Sequence, residues 1–253
     1  MLNLFQNRID FIIAGTQKGG TTSLDAYLRQ HPQIRMGKKK EVHFFDKRKP
    51  TGWNALDHAV YNANFKWPRA TPDMKVGEAT PIYMWWHGAP ERIWTYNPDI
   101  KLIILLRDPV ERAWSHFKMD TRLGRDGAAF EDAIRDETNR ARRSLPKQDR
   151  ERSLIARGFY APQIRELFRL FPRKNLYFQK SEVFSQSPQQ VLDEVCDFLD
   201  CKRHVFDTQP RLNADPTGQS MPDTARAFLE DQFYHDVQDV RRLLNWSNDH
   251  WSV

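Results

Sequence analysis

The sequence predicts an α/β fold of the P-loop-like, three-layer kind, with a central parallel sheet flanked by helices, and three observations carry that reading. Phe11-Ile12-Ile13-Ala14-Gly15 is a short buried strand, and the glycine-rich turn Gly15-Thr16-Gln17-Lys18-Gly19-Gly20-Thr21-Thr22 follows it directly. Lys101-Leu102-Ile103-Ile104-Leu105-Leu106-Arg107 is a continuous apolar run with polar flanks, the pattern of a central strand covered on both faces. Elsewhere strand-like runs alternate with helix-like ones, without an internal repeat or a low-complexity linker. The 253 residues, 40% of them hydrophobic, can bury one sizeable core, so a single domain over 1–253 is expected.

Each element has a local reason. Residues 23–30 carry Leu24, Tyr27 and Leu28 at helical spacing, and 34–36 is a short extended piece. Glu41-Val42-His43-Phe44-Phe45-Asp46 reads as a second extended segment of mixed apolar and polar residues. Residues 75–78 form a strand ending at Ala79-Thr80-Pro81, and Pro90 opens a helix to about Tyr96. Asp108-Pro109 supplies an N-cap and a first-turn proline, so a helix runs on through Trp114 and Phe117. Residues 122–152 are highly charged. They hold one amphipathic stretch, 130–143, and an exposed mobile segment, 144–152. A helix over about 160–171 stops at Pro172, 175–179 is a further strand, and Pro188 starts another helix. Residues 213–222 are a polar loop, and 224–244 are helical.

The net charge of +6 favours an anionic partner: a nucleotide, a sulfated or phosphorylated ligand, or nucleic acid. A solvated basic surface would give the same balance. Lys38-Lys39-Lys40 and Lys47-Arg48-Lys49 do not interleave with aromatics as a nucleic-acid platform would, so nucleic acid is not the expected partner. Two cysteines, Cys196 and Cys201, make no disulfide framework, and Cys196 falls on the apolar side of a helical pattern as a buried thiol. Residues 1–10 are too few and too mixed for a signal peptide or membrane anchor, and no later run approaches the ~20 apolar residues of a membrane span. A soluble chain in a reducing, cytoplasmic setting is expected.

Three short segments carry candidate chemistry. The first is the loop, where free backbone N–H groups and a positive helix end converge on an anion. A triphosphate loop reads G-x-x-x-x-G-K-[ST], with the lysine on the terminal phosphates and the hydroxyl on magnesium. Gly15 and Gly20 keep the glycine spacing, but Thr21 stands where that lysine belongs and Lys18 sits inside the loop. The second is the end of the strongest strand, which belongs at the same sheet edge as the loop. Arg107 and Ser115 there can hold one phosphate through a charged fork and a hydroxyl. Alternatively, Arg107 pairs with Asp108 or Glu111 and Ser115 is an ordinary helix residue. The third is Glu41 with His43, two apart on an extended segment and so on one face, where they can deprotonate a hydroxyl or amine. Against that stand a Glu41 paired to the lysines before it and a His43 bonded in the core.

Gly15-Thr-Gln-Lys-Gly-Gly-Thr-Thr-Ser23, Lys40-Glu-Val-His-Phe-Phe-Asp46 and Leu105-Leu-Arg-Asp-Pro-Val-Glu-Arg-Ala-Trp-Ser115 occur in the order and approximate spacing of the sulfotransferase family. The chain resembles its heparan-sulfate branch, which includes the glucosaminyl 3-O-sulfotransferases. Gly77-Glu-Ala-Thr-Pro-Ile-Tyr83, Gly158-Phe-Tyr-Ala-Pro-Gln-Ile-Arg-Glu-Leu-Phe168 and Asn245-Trp246 extend the resemblance from about Asp10 to Trp246. It implies transfer of a sulfuryl group from 3′-phosphoadenosine 5′-phosphosulfate (PAPS) to an acceptor, releasing adenosine 3′,5′-bisphosphate (PAP), with no metal required. Carried over by motif, Lys18 touches the oxygen bridging phosphate and sulfate. Gly19, Gly20, Thr21, Thr22 and Ser23 wrap the 5′-phosphate, and Arg107 and Ser115 take the 3′-phosphate. Tyr160 joins the nucleotide site, and Glu41 is the general base with His43 beside it.

The chain also departs from that branch. Its members close a Lys-Gly-Arg loop over the nucleotide, whereas the corresponding stretch here is Arg211-Leu-Asn-Ala-Asp-Pro-Thr-Gly218-Gln-Ser220, with no basic pair after the glycine. Arg211 and Gly218 are the candidates for that closure. The branch's cysteine pair and membrane anchor are missing, which points away from a Golgi polysaccharide enzyme and towards a small-molecule or carrier-bound acceptor. Trp53, Trp67, Trp85, Trp86 and His87 are candidates to line the acceptor site, with core packing the alternative for each. A heparan-type polysaccharide acceptor stays open, because family resemblance does not transfer specificity. So do two other classes: a P-loop kinase using Lys18, which EDTA would inactivate, and a non-catalytic anion binder, which turnover would exclude. Oligomeric state is not legible.

Overall fold

Five parallel strands lie in the order β2-β3-β1-β4-β5: β1 (Phe11–Gly15), β2 (Ile34–Met36), β3 (Lys75–Ala79), β4 (Lys101–Leu106) and β5 (Leu176–Lys180). The computed structural model describes residues 7–47, 52–67, 73–125, 127–144, 148–208, 218–247 and 250–253. Helices cover both faces, which is why β1 and, after Lys101, β4 are continuous apolar runs rather than alternating. Phe11, Ile13, Ile103 and Leu105 face one core, closed by α1 (Thr21–Leu28) and α9 (Pro188–Phe198). Ile12, Ala14, Leu102, Ile104 and Leu106 face the other, closed by α3 (Ala89–Tyr96), α4 (Pro109–Arg122), α7 (Tyr160–Leu170) and α10 (Asp223–Leu244). The expected three layers are therefore present, with β1 central between β3 and β4 and the loops after both opening at one edge.

Several local readings change. α1 begins at Thr21 rather than at 23, because Gly20 takes the left-handed conformation at the N-cap (φ 91°). α2 (Ala55–Asn62) is an addition. It opens with a capping box in which Asn54 and Asp57 satisfy each other's backbone N–H groups, a signal that hydrophobic periodicity passes over. The amphipathic stretch after Phe130 is two helices, α5 (Phe130–Arg135) and α6 (Glu137–Ser144), and a short α8 (Ser181–Gln186) follows β5. Residues 41–46 are not an extended segment, since Glu41 and His43 both have left-handed backbone (φ 60° and 53°). Of the segment 144–152, expected to be exposed and mobile, 145–147 lie outside the described residues, and Arg150, Glu151 and Arg152 are exposed on an anchored turn. Asp149 Oδ1 accepts the N–H groups of Glu151 and Arg152, and Gln148 bonds the backbone of Trp85 and His87. Among the described residues no helix is long and apolar enough to cross a membrane.

Candidate active site

The loop after β1 leans on the end of β4. The Thr16 N–H and hydroxyl both donate to the Leu105 carbonyl, at 2.8 Å each, and Gly19 N–H closes the turn onto Thr16 O. A Cβ on Gly19 would lie 2.5 Å from Leu105 O, so only glycine allows this approach. Gly20 then starts α1 without a side-chain cap and without an acidic residue in the first turn. The first amides of the helix, Thr21, Thr22 and Ser23, are thus left for an anion. Lys18, left-handed at φ 73° and half-buried, has its pKa lowered by burial and by the nearby Arg122 and Arg107.

At the β4–α4 junction, Arg107 reaches the Lys18 carbonyl at 3.4 Å and Glu111 at 3.8 Å, so the Arg107–Glu111 pairing weighed from sequence is present. Glu111 is shared with Arg226 at 2.8 Å. Ser115 is half-buried two turns along α4. The Tyr160 ring is fully buried and its hydroxyl donates to the Arg107 carbonyl at 3.0 Å, so it touches the backbone that carries the candidate site. Gly218 is exposed at φ 63°, and the neighbouring Gln219 carbonyl accepts from Trp114 Nε1. Arg211 lies outside the described residues.

Glu41 is brought to the same edge by its backbone, whose N–H donates to Ala79 O at the end of β3. Tyr83 holds the segment from behind, accepting Phe44 N–H at 2.8 Å and donating to the buried Glu78. Glu41 and His43 do meet, with Oε2 and Nε2 3.3 Å apart, but through two left-handed residues rather than a shared strand face. His43 Nδ1 lies 2.7 Å from Asp46 Oδ2, which also receives Arg150 at 2.8 Å. Lys40 contacts the other Glu41 oxygen at 2.6 Å, so the pairing with a preceding lysine is present as well. The hydrogen bond from His43, aided by Lys40, holds the Glu41 pKa at about 2. Hydrogen bonds to Asp46 and Glu41 push His43 up to about 9. At neutral pH Glu41 is therefore a carboxylate and His43 an imidazolium.

Sequence reasoning missed Asp46, Arg150 and Arg157. Buried Arg157 donates to Gln17 of the loop and to the Arg150 carbonyl, and stacks over Trp85 at 4.5 Å. Glu137 fixes that turn by accepting Ile155 and Ala156 N–H. Arg150 stacks over Trp86 at 4.9 Å. A chain of contacts therefore runs from the loop through Arg157 and Arg150 to Asp46 and His43. Of the proposed acceptor aromatics, Trp85 and Trp86 lie on this chain. Trp53 packs on Phe44, Trp67 bonds Asn62 O, and His87 is exposed. Only Asp46, three residues after His43, had a local signal.

The sulfotransferase domain family matches residues 8–213. Human heparan sulfate glucosamine 3-O-sulfotransferase 3B1 is 32% identical over 201 residues, 78% of this chain and 47% of that protein. Human heparan sulfate glucosamine 3-O-sulfotransferase 6 is 32% identical over 209 residues, 80% and 55% respectively. The chain spans about half the length of these curated relatives. The crystal structure of a sulfotransferase from Alicyclobacillus acidocaldarius is similar at a TM-score of 0.81 and 30% identity, covering 95% of this chain and 97% of that one.

Proposed function

The chain belongs to the sulfotransferase family, and we propose that it transfers a sulfuryl group from PAPS to a hydroxyl of a small-molecule acceptor, with Glu41 as the base. The observation that carries this is the meeting, at one sheet edge, of an uncapped glycine loop bearing Lys18 and a carboxylate paired with a protonated histidine. When bound, PAPS supplies the sulfuryl group and leaves as PAP. The donor set fits such a nucleotide: loop amides and Lys18 for the phosphosulfate end, Arg107 and Ser115 for the 3′-phosphate. The Lys18 ammonium offsets charge gathering on the leaving oxygen. Glu41 accepts the acceptor's hydroxyl proton. A carboxylate with a pKa of about 2 is a weak base, yet it suffices because the hydroxyl becomes strongly acidic as its oxygen bonds to sulfur. His43 has no lone pair to offer while it is protonated, so its part is to orient Glu41 together with Asp46.

Trp85, Trp86, Arg157 and Arg150 form an aromatic–arginine wall beside the base, a surface that a small acceptor and an anionic glycan can use alike. Free, buried Cys196 and Cys201 agree with a cytoplasmic setting. The second reading, a heparan-type polysaccharide acceptor, is favoured by the names of the relatives. Incubating the protein with labelled PAPS and both kinds of acceptor pool separates them. A sulfuryl mass gain on a small hydroxyl compound is expected; label appearing only on glucosamine-containing glycan would assign the second reading, and no transfer to any pool would refute both.

A further inference from the structure

Trp251 and Ser252 lie beyond the stretch that the family matches, yet they grip the junction that carries Arg107. Asp108, 3% exposed, divides its two carboxylate oxygens. Oδ1 caps α4 by accepting Val110 and Glu111 N–H at 2.9 and 3.2 Å. Oδ2 accepts the Ser252 N–H at 2.6 Å and the Ser252 hydroxyl at 2.8 Å. The Asp108 N–H donates to Glu182 Oε1 at 3.1 Å, and the other oxygen of Glu182 receives Trp251 Nε1, also at 3.1 Å. The Arg107 carbonyl is held by the Tyr160 hydroxyl, and the Tyr160 ring packs against Trp251 at 6.0 Å. Both backbone groups of the 107–108 peptide and the neighbouring carboxylate are thus pinned, directly or through one residue, by positions 251 and 252. Among the described residues the Arg107 guanidinium, by contrast, makes only the long contacts to Lys18 O (3.4 Å) and Glu111 (3.8 Å). A fixed base under a lightly held guanidinium suits an arginine that must meet an incoming anion without first ordering its own backbone.

We propose that Trp251 and Ser252 are positioning residues for the 3′-phosphate of the nucleotide, acting through Asp108, Glu182 and Tyr160 on Arg107. This rests on the reading of Arg107 and Ser115 as the 3′-phosphate site. The test compares PAP with AMP, which lacks the 3′-phosphate, by titration calorimetry on wild type, Ser252→Ala, Ser252→Thr and Trp251→Phe, and needs no acceptor. Ser252→Ala and Trp251→Phe each remove one hydrogen bond to a carboxylate, so PAP affinity falls by about threefold or more while AMP affinity holds. Ser252→Thr, which keeps the hydroxyl, restores PAP binding. Melting curves without ligand, expected within a few degrees of wild type for Ser252→Ala, separate this from general loosening. Equal losses for PAP and AMP, or no loss for either, overturn the positioning role while leaving the 3′-phosphate site standing. If wild type itself binds PAP and AMP alike, that site falls and the proposal falls with it.

Discussion

On the proposed nucleotide side of the site, the groups offered to an anion are mostly backbone amides of one continuous strand–turn–helix unit, residues 11–28. On the base side they are side chains, and Arg150 and His43, which meet there at 3.4 Å, lie 107 positions apart in sequence. The two halves share the carboxyl edge of the sheet but depend on different things. The loop needs room, above all the missing Cβ of Gly19 beneath Leu105 O. The proposed base needs charges in register: Lys40 and His43 on Glu41, Asp46 and Arg150 behind His43. The loop can therefore be damaged by added volume, and the base by a lost charge that leaves the backbone in place.

The largest effect should come from the base side. Glu41→Gln keeps the size of the side chain but cannot take a proton, and its amide NH2 faces one of the two donors, Lys40 or His43, that Glu41 now accepts from, so turnover should fall about 100-fold or more with PAP affinity nearly unchanged. The pH profile sharpens the assignment. Glu41 is ionised above a pKa of about 2, whereas His43 releases its proton only near 9. Wild-type turnover should therefore already be on a plateau at pH 7. A rate that climbs tenfold per pH unit up to about 9 would make His43 the base and Glu41 its orienting partner.

The nucleotide side should show the converse pattern. Gly19→Ala places a methyl group 2.5 Å from Leu105 O and 3.0 Å from Thr16 O, both backbone atoms. PAP affinity should fall about tenfold, with the melting temperature lowered, as expected for overpacking of roughly 1–3 kcal/mol. Normal PAP binding by this variant would break the contrast, because the loop would then not be the cradle.

The smallest effect tests the register of charges. In the folded chain the His43 pKa is raised from 6.5 to about 9, chiefly by Asp46. A raised pKa contributes stability that is complete below the unfolded value and lost as pH rises through the folded one. The melting-temperature gap between wild type and Asp46→Asn should therefore be widest near pH 6 and narrow as pH rises through 9. A gap that stays constant across that range would mean that Asp46 acts through Arg150 rather than through His43.

How much of this was legible in sequence follows the same division. The strand at 11–15, the displaced lysine and Arg107 at the end of the strongest strand are all patterns within a few residues, and each landed where expected. Glu41 and His43 were paired correctly for the wrong reason. Spacing of two implies a shared face only in an extended chain, and both residues are left-handed. The charged stretch after Arg122 gave no sign that 148–152 would dock on Trp85, His87 and Asp46. The motif around Tyr160 gave no sign that its hydroxyl would bond the Arg107 carbonyl, 53 positions away.

By itself, then, the sequence determined the layered parallel sheet, the anion loop and the edge at which they meet, because hydrophobic runs, glycine spacing and helix caps act over one or two turns of chain. Only the tertiary structure decided which charges surround Glu41, that Arg157 and Arg150 link the loop to the base, and that Trp251 and Ser252 brace Arg107. Those contacts join segments tens to more than a hundred residues apart. Whether a given arginine finds a carboxylate there depends on the close packing of the whole core, which no local pattern encodes.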